Sequence, residues 1–176
     1  ESEGVCTARF REVSTLEELR QAFDLFEKPV ICKAVDTSGS RGIIRVDTAD
    51  DLPHAFEYVM RSTRQKYFLV EEFISGVEFG AQAAVIDGEA QFVMPHGDIL
   101  YHGKTDVPIG HYVPYSMSDQ VKSLVWTQLD KSITALGLTT CAINADFILR
   151  GDHVYVLEIG ARAGATCLPE LVSTHY

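Results

Sequence analysis

The order of strands and helices in the sequence predicts an α+β fold built on antiparallel sheets. Two turn sequences, Asp87-Gly88 and Arg150-Gly151-Asp152, each join a pair of apolar, strand-like runs, as in a β-hairpin. Segments whose apolar residues recur at helical spacing lie between the strand pairs. Hairpins that alternate with helices are typical of the α+β class and not of a doubly wound parallel sheet.

The first half of the chain is predicted to contain helices and short strands. Ser14–Glu18 has the pattern of a capping box, which starts a helix, and Lys28-Pro29 ends it because proline cannot continue a helix. The further elements are strands at residues 30–35, 43–46 and 67–72, and a second helix that Thr48 caps and that runs to about Arg64.

The second half is predicted to hold hairpins on either side of the longest helix. Residues 95–115 have proline, glycine, histidine and tyrosine in no fixed period, which leaves a functional loop and a broken hairpin as alternatives. The predicted elements are strands 77–86 and 90–94, a helix from Ser118 to Gly137, and strands 141–149 and 154–159.

Composition narrows the classes of partner. The 176 residues carry a formal net charge of −10, which argues against nucleic acid because that ligand requires a basic surface. No apolar run approaches the roughly 20 residues of a membrane span. The four cysteines show no paired spacing, and Cys32 and Cys141 lie in apolar runs, which indicates free thiols in a reducing compartment. We therefore expect a cytoplasmic protein that binds neither nucleic acid nor membrane.

The ends of the chain suggest a segment. It begins without an initiator methionine and stops at Tyr176 without a signal for a closing helix. We therefore expect part of a longer protein whose preceding domain is absent from this chain.

A lysine strand and a glycine turn form the first candidate site. Lys33 lies in the apolar run V-I-C-K-A-V, where burying an ammonium is costly without an anion. The turn Thr37–Gly42 (T-S-G-S-R-G) lies between two strands and so is not a Walker A loop, but its N–H groups and Arg41 could cover phosphates. The alternatives are a solvent-facing lysine and an ordinary glycine turn.

The second candidate site is the connector L-V-E-E-F-I-S-G-V-E, which ends at Glu78. Apolar residues around a short connector could hold an adenine through main-chain hydrogen bonds, and Glu78 could accept both ribose hydroxyls. An exposed, charged turn is the alternative.

The third candidate site is the last hairpin. Asp146 and Glu158 lie on neighbouring strands and could place two carboxylates on one cation, as magnesium prefers. Asn144 shares the face of Asp146 by strand alternation, and Arg162 lies just beyond Glu158, where a guanidinium could pair with phosphate. An ordinary surface ion pair is the alternative for each of these residues.

In order, the three segments resemble the ATP-grasp superfamily. K-P-V-I-C-K-A-V-D-T-S-G-S-R-G-I resembles its phosphate-binding strand and glycine loop, and V-E-E-F-I-S-G-V-E its adenine hinge and ribose acid. N-A-D-F-I followed by V-L-E-I-G-A-R resembles its metal-binding hairpin. The resemblance spans residues 29–170 and is greatest to proteins like the carbamoyl-phosphate synthase large subunit and to amino-acid ligases.

The resemblance implies two α+β lobes, residues 1–75 and 76–176, whose antiparallel sheets enclose a nucleotide cleft. It implies ATP and Mg²⁺ as cofactors, with Mn²⁺ as an alternative metal. The implied roles are Lys33 on the α- and β-phosphates; Gly39, Arg41 and Gly42 in the flap; Glu71, Glu72, Phe73 and Ile74 around the adenine; Glu78 on the ribose; Asp146 and Glu158 on the metal; and Asn144 and Arg162 at the γ-phosphate and the acyl phosphate formed from it.

The implied reaction is that of a ligase. A small carboxylate attacks the γ-phosphate of ATP, and an amine or ammonia captures the acyl phosphate, which releases ADP and phosphate. A homo-oligomer would form through domains outside this chain. The alternatives are a nucleotide-binding module without catalysis and a phosphotransferase on the same fold.

The chain departs from the family pattern at Gly160. The family usually has E-x-N-x-R where this chain has Glu158-Ile-Gly-Ala-Arg162, so one side-chain ligand is lost and the number of metal ions stays open. In segment 95–115, His111 and Lys104 occupy the place where relatives present groups to the acceptor, with plain loop polarity as the alternative. The spacing of the histidines in this segment matches no common zinc pattern.

Overall fold

Antiparallel sheets carry the fold, which confirms the predicted α+β class. The computed structural model describes residues 4–102, 106–165 and 167–176, and within them every side chain except those of residues 100, 102 and 106–108. The helices and strands are β1 (Phe10–Val13), α1 (Leu16–Leu25), β2 (Val30–Lys33), β3 (Ile43–Val46), α2 (Leu52–Ser62), β4 (Phe68–Glu72), β5 (Val77–Ile86), β6 (Glu89–His102), β7 (Asp106–Tyr112), α3 (Asp119–Leu136), β8 (Cys141–Arg150), β9 (His153–Gly160) and α4 (Leu168–Ser173).

The strands form two sheets in two compact units. A four-stranded sheet has the order β1-β4-β2-β3, and a five-stranded sheet has the order β7-β6-β5-β8-β9. The first sheet belongs to a unit of Ala8–Phe73 and the described part of residues 101–107, called here the four-stranded unit. The second belongs to a unit of residues 4–7, Ile74–Leu100 and Pro108–Tyr176, called the five-stranded unit.

In the four-stranded unit, α1 and α2 pack against one face of the sheet. The predicted capping box starts α1, because Thr15 Oγ1 accepts from the N–H of Glu18 at 3.2 Å and Glu18 Oε2 accepts from the N–H of Thr15 at 3.1 Å. Val30 and Cys32 of β2 are fully buried in the core beneath the helices. The alternating residues, including Lys33, therefore project from the opposite face of the sheet.

In the five-stranded unit, α3 covers one face of the sheet. Its N-cap is Ser118 and its C-cap is Gly137 in the left-handed conformation, as predicted. Its buried residues Val125, Leu129 and Ile133 join a core with inward-facing residues of β5 and β8. The polar residues of β5 and β8 alternate with these core residues and so lie on the face opposite α3.

Residues 95–115 form strands for most of their length. β6 continues to His102 and β7 spans Asp106–Tyr112, and the two strands are neighbours in the five-stranded sheet. Lys104, considered above for contact with the acceptor, lies outside the described residues. Strand β1 and the short helix α4 are additions to the predicted elements.

Among the described residues, no helix combines the length and the apolar character needed to cross a membrane.

Candidate active site

Strands β6, β5, β8 and β9 bring a row of residues together on the face opposite α3. Gly80 of β5 pairs with His96 of β6 on one side and with Asp146 of β8 on the other. Asp146 pairs in turn with Glu158 of β9. Because paired residues project from the same face of a sheet, His96, Asp146 and Glu158 share one row that contains a glycine at its second position.

A β-bulge brings Glu158 to this face. Val156 pairs with Phe147 and Glu158 pairs with Asp146, which leaves Leu157 without a partner. Val156 is buried on the α3 side, so regular alternation would point Glu158 to the core as well. The extra residue inverts the alternation and places the Glu158 carboxylate beside Asp146.

Asp146 is in an environment that disfavours its negative charge. Burial, and then the charges of Asp98 and Glu158, raise the pKa of Asp146 to about 6, although His96 and His111 act in the opposite direction. Among the described residues, no side-chain hydrogen bond or ion pair neutralises Asp146 or Glu158. Two adjacent carboxylates without a neutralising side chain suit a hard divalent cation.

Asp98 of β6 lies between two histidines on the same sheet. Its Oδ1 is 3.1 Å from Nδ1 of His96 and 2.6 Å from Nδ1 of His111. Burial raises the pKa of Asp98, but hydrogen bonds from the two imidazoles outweigh burial and hold the pKa below its ordinary value. These three residue types can bind metal, but both imidazoles contact the same carboxylate oxygen, which is the geometry of a hydrogen-bonded cluster.

His96 is the central residue of this cluster. Its side chain is 1% exposed, and its Nε2 atom has no hydrogen-bond partner among the described residues. The ring covers the Cα of Gly80, where an added Cβ would lie only 2.2 Å from His96 Cε1. The glycine in the row is therefore required for the imidazole to reach toward Asp146.

Asn144 lies in the neighbouring row of the same face. It pairs with Gln82 of β5 and with Gly160 of β9. Gly160 is the position where the family pattern has asparagine, and Arg162 packs beside it, with Cγ 3.5 Å from the position of an added Cβ. Arg162 itself is exposed in the loop after β9, and its Nη1 donates to the carbonyl of Ala163 at 2.9 Å.

In the four-stranded unit, Lys33 and Glu71 share the face opposite the helices. Lys33 pairs with Leu69, and Glu71 pairs with Ile31, so the two charged residues are diagonal neighbours on β2 and β4. Burial raises the pKa of Glu71, and the charge of Lys33 partly offsets this effect. Lys33 is half-buried on this face.

The glycine turn is shaped by its own hydrogen bonds. Thr37 Oγ1 donates to the carbonyl of Arg41 at 2.7 Å, and Arg41 Nε donates to the carbonyl of Ser38 at 3.0 Å. Gly39 and Gly42 both have φ near +65°, a conformation that favours glycine. Gly42 is also tightly enclosed, since an added Cβ would lie 2.8 Å from the Cβ atoms of Ala34 and Ser62.

The connector after β4 places its residues in different environments. Glu72 is tied to Arg9, whose Nε donates to Glu72 Oε2 at 2.8 Å and whose carbonyl accepts from the N–H of Glu72 at 3.0 Å. Phe73 is partly exposed and lies under the guanidinium of Arg45, 4.9 Å from its Cζ. Ile74 is buried, and Glu78 is exposed on β5 at a position two residues before Gly80.

The structure therefore groups the predicted residues into two sets. Asn144, Asp146 and Glu158 come together on the five-stranded sheet, with Glu78 farther along the same face of β5. Lys33 and Glu71 come together on the four-stranded sheet.

Two polar residues of the five-stranded sheet, Gln82 and His96, were given no role from the sequence. Gln82 interrupts the small and apolar residues of F-G-A-Q-A-A-V, and this buried amide was the available signal.

The chain matches a known protein family over most of its length. The family model described as an ATP-grasp domain matches residues 26–170. The chain belongs to the ATP-grasp family.

Individual ATP-grasp proteins match nearly the whole chain but only part of their own length. Formate-dependent phosphoribosylglycinamide formyltransferase of Synechococcus sp. (strain CC9605) is 30% identical over 95% of this chain and 43% of its own length. The carbamoyl phosphate synthase large chain of Lachnoclostridium phytofermentans is 27% identical over 89% of this chain and 15% of its own. The crystal structure of phosphoribosylglycinamide synthetase from Anaerococcus prevotii has a TM-score of 0.72 and 43% identity, over 99% of this chain and 43% of that one. The chain thus spans less than half the length of these relatives.

Proposed function

We propose that this chain is the ATP-grasp part of an ATP- and Mg²⁺-dependent ligase that joins a small carboxylate to an amine or ammonia through an acyl phosphate. The observation that carries the proposal is the pairing of Asp146 with Glu158 across a bulged hairpin, where neither carboxylate has a side-chain hydrogen bond or ion pair with another described residue. A strand pair has no need of two facing carboxylates for its own stability, because like charges directly opposite each other destabilise a sheet. Membership of the ATP-grasp family supports a nucleotide as the ligand.

The donor set fits magnesium. Asp146 and Glu158 would hold the cation, which supplies charge neutralisation for the phosphates when bound. Mn²⁺ would fit the same oxygen ligands. With Gly160 in the neighbouring row, this chain offers no third side-chain oxygen at the position of the family asparagine.

The remaining residues would act on the nucleotide by charge and hydrogen bonding. In the four-stranded unit, we assign Lys33 to the α- and β-phosphates, the turn with Gly39, Arg41 and Gly42 to covering them, and Glu71, Glu72 and Phe73 to the adenine pocket. In the five-stranded unit, we assign Ile74 to adenine contact, Glu78 to the ribose hydroxyls, and Asn144 and Arg162 to the γ-phosphate. Phosphoryl transfer depends on positioning and charge neutralisation, so the transfer needs no side-chain nucleophile.

In the reaction, a carboxylate oxygen of the substrate attacks the γ-phosphorus, and the bond from the γ-phosphorus to the β–γ bridging oxygen breaks to release ADP. The amine then attacks the acyl carbon and expels phosphate, and the amine loses a proton. Asn144 and Arg162 would donate hydrogen bonds to the phosphoryl oxygens during both steps.

We place this chain within a longer cytoplasmic protein in which residues 1–75 and 76–176 are the two ATP-grasp lobes, and in which other domains bring the homo-oligomer contacts. All four cysteines are free, which supports a reducing compartment.

Metal-dependent nucleotide binding tests the proposal. We expect ATP with Mg²⁺ to raise the melting temperature of the chain, and Glu158→Gln to remove most of the magnesium-dependent part. The control Glu170→Gln makes the same chemical change on an exposed residue of α4 and should leave the shift intact. Equal loss in both variants would contradict the metal assignment, and no shift by ATP in the unmodified chain would contradict nucleotide binding.

Turnover separates the ligase from its alternatives. Release of ADP should depend on a carboxylate and an amine together, with formate plus phosphoribosylglycinamide as the first pair because a relative is named for it. Bicarbonate plus ammonium and pairs of amino acids complete the panel. Binding without ADP release across the panel would favour a non-catalytic module, which Gly160 makes a real alternative, and phosphate transfer to an alcohol would favour a phosphotransferase.

A further inference from the structure

Gln82 is a buried amide in the middle of β5. It is 3% exposed and lies on the face that carries Asn144 and Asp146. Burying an amide without hydrogen bonds is costly, so the side chain must be well paired. Its partners define its role.

Both ends of the Gln82 amide are occupied. Its Oε1 accepts from the backbone N–H of Gly164 at 2.8 Å, and its Nε2 donates to Asn144 Oδ1 at 2.5 Å. The assignment of oxygen and nitrogen follows from Gly164, because a backbone N–H can only donate. Gln82 must therefore turn its oxygen to Gly164 and its NH₂ to Asn144, and Asn144 must turn its oxygen to Gln82.

The loop after β9 closes tightly over this pair. An added Cβ on Gly164 would lie 2.9 Å from both Asn144 Oδ1 and Gln82 Nε2. Only glycine allows the backbone to approach the two amides this closely. Gly164 lies two residues after Arg162, so the contact also holds the loop that carries the arginine.

We propose that Gln82 is a positioning residue that fixes the orientation of the Asn144 amide and anchors the Arg162 loop. With Asn144 Oδ1 held by Gln82, the atom left to act on a ligand is the Nδ2 donor. A donor suits an anionic phosphoryl oxygen, whereas a flipped amide would present an oxygen and repel it. The inference rests on the proposed function, in which Asn144 faces the γ-phosphate.

We expect a change at Gln82 to affect only the binding of nucleotides that carry a γ-phosphate. The preference for a γ-phosphate is the dissociation constant of MgADP divided by that of the non-hydrolysable MgAMP-PNP. Gln82→Glu keeps an acceptor for Gly164 but turns Asn144 round, because a carboxylate would draw its NH₂. We expect this variant to lower the preference roughly 10-fold, as for loss of one charge-assisted hydrogen bond of about 1.5 kcal/mol, with MgADP affinity unchanged within about 2-fold.

The test is isothermal titration calorimetry of both nucleotides with Gln82→Glu, Gln82→Met, Asn144→Ala and the double variant Gln82→Met with Asn144→Ala. If Gln82 acts through Asn144, the double variant loses no more than Asn144→Ala alone. Additive losses, an unchanged preference in both Gln82 variants, or equal weakening of MgADP and MgAMP-PNP would each overturn the inference while leaving nucleotide binding intact. An unmodified chain that binds neither nucleotide would instead overturn the proposed function and the inference with it.

A measurement on the unmodified chain does not depend on the folding of any variant. With ¹⁵N-glycine labelling, the Gly164 amide should exchange with solvent much more slowly than the amide of Gly151 at the exposed hairpin turn. Exchange of Gly164 as fast as that of Gly151 would show that the hydrogen bond to Gln82 is absent and would overturn the inference.

Discussion

The pairing of Asp146 with Glu158 should lower the stability of the folded chain when no metal is bound. In the folded chain, burial and the charges of Asp98 and Glu158 raise the pKa of Asp146 from 3.8 to about 6. Between these values the folded state holds a proton that the unfolded state has released, so stability falls as pH rises from about 4 to about 6 and is level above that range. Asp146→Asn removes the charge and should abolish this loss.

The size of the effect follows from the pKa. A rise of about two pH units corresponds to about 3 kcal/mol over the whole range, of which about 2 kcal/mol falls above pH 4.5, and solvent screening of a half-buried group lowers the expectation to roughly 1–2 kcal/mol. We therefore expect Asp146→Asn to gain stability over the unmodified chain by that amount when pH rises from 4.5 to 7.5 in EDTA. Magnesium at ten times its dissociation constant should narrow this difference by stabilising only the unmodified chain, by about 1.4 kcal/mol.

Urea denaturation followed through Trp126 is a suitable assay, because this sole tryptophan lies in α3 on the same unit. Asp152→Asn at the exposed turn before β9 is the control and should show no comparable gain. The reasoning is refuted if Asp146→Asn is less stable than the unmodified chain at pH 7.5 in EDTA, or if the difference between them is the same at both pH values.

Three further predictions concern single positions. Gly42→Ala should destabilise the four-stranded unit by about 1–3 kcal/mol more than Gly39→Ala, measured by circular dichroism in urea. Both glycines have positive φ, but of the two only Gly42 is enclosed by other atoms. Equal losses would show that only the backbone conformation matters. Gly160→Asn should change the free energy of unfolding by less than about 1 kcal/mol, since its Cβ meets Arg162 at ordinary contact distance. It should also tighten magnesium-dependent ATP binding in calorimetry. Weaker binding would contradict the assignment of this position. Thr15→Ala should cost about 1 kcal/mol in the same urea assay through loss of the α1 cap, and an unchanged midpoint would contradict the capping role.

The sequence predicts elements well where local signals agree with the fold. β5 begins and ends where expected because Asp87-Gly88 forces a turn, and α3 is bounded by Ser118 and Gly137 because both caps act locally. The sequence left the pairing of β6 and β7 open because the irregular composition of residues 95–115 has a tertiary cause. Gly97, for example, gives room to the ring of Tyr112, whose Cζ would lie 2.1 Å from an added Cβ.

The candidate site, too, could be predicted from the sequence only in part. Carboxylates on neighbouring strands can be read as a pair, but the face of Glu158 depends on a bulge that only the pairing of β8 with β9 reveals. Gln82 could be noticed as a polar residue in an apolar strand, but its partner Gly164 is 82 residues away in the chain. Long-range hydrogen bonds of this kind leave no local pattern in the sequence.

The unpaired Leu157 means that β9 can hold Glu158 beside Asp146 in two ways. Exchanging Leu157 for another apolar residue would leave the pairing of β8 and β9 in place. Deleting it would bring Glu158 directly after the inward-facing Val156, and regular alternation would then keep the carboxylate on the outer face, opposite Asp146, without a bulge. A designer who grafts this hairpin onto another sheet can therefore keep the bulge or shorten the strand by one residue, but a regular ladder that retains residue 157 would turn the carboxylate into the apolar core.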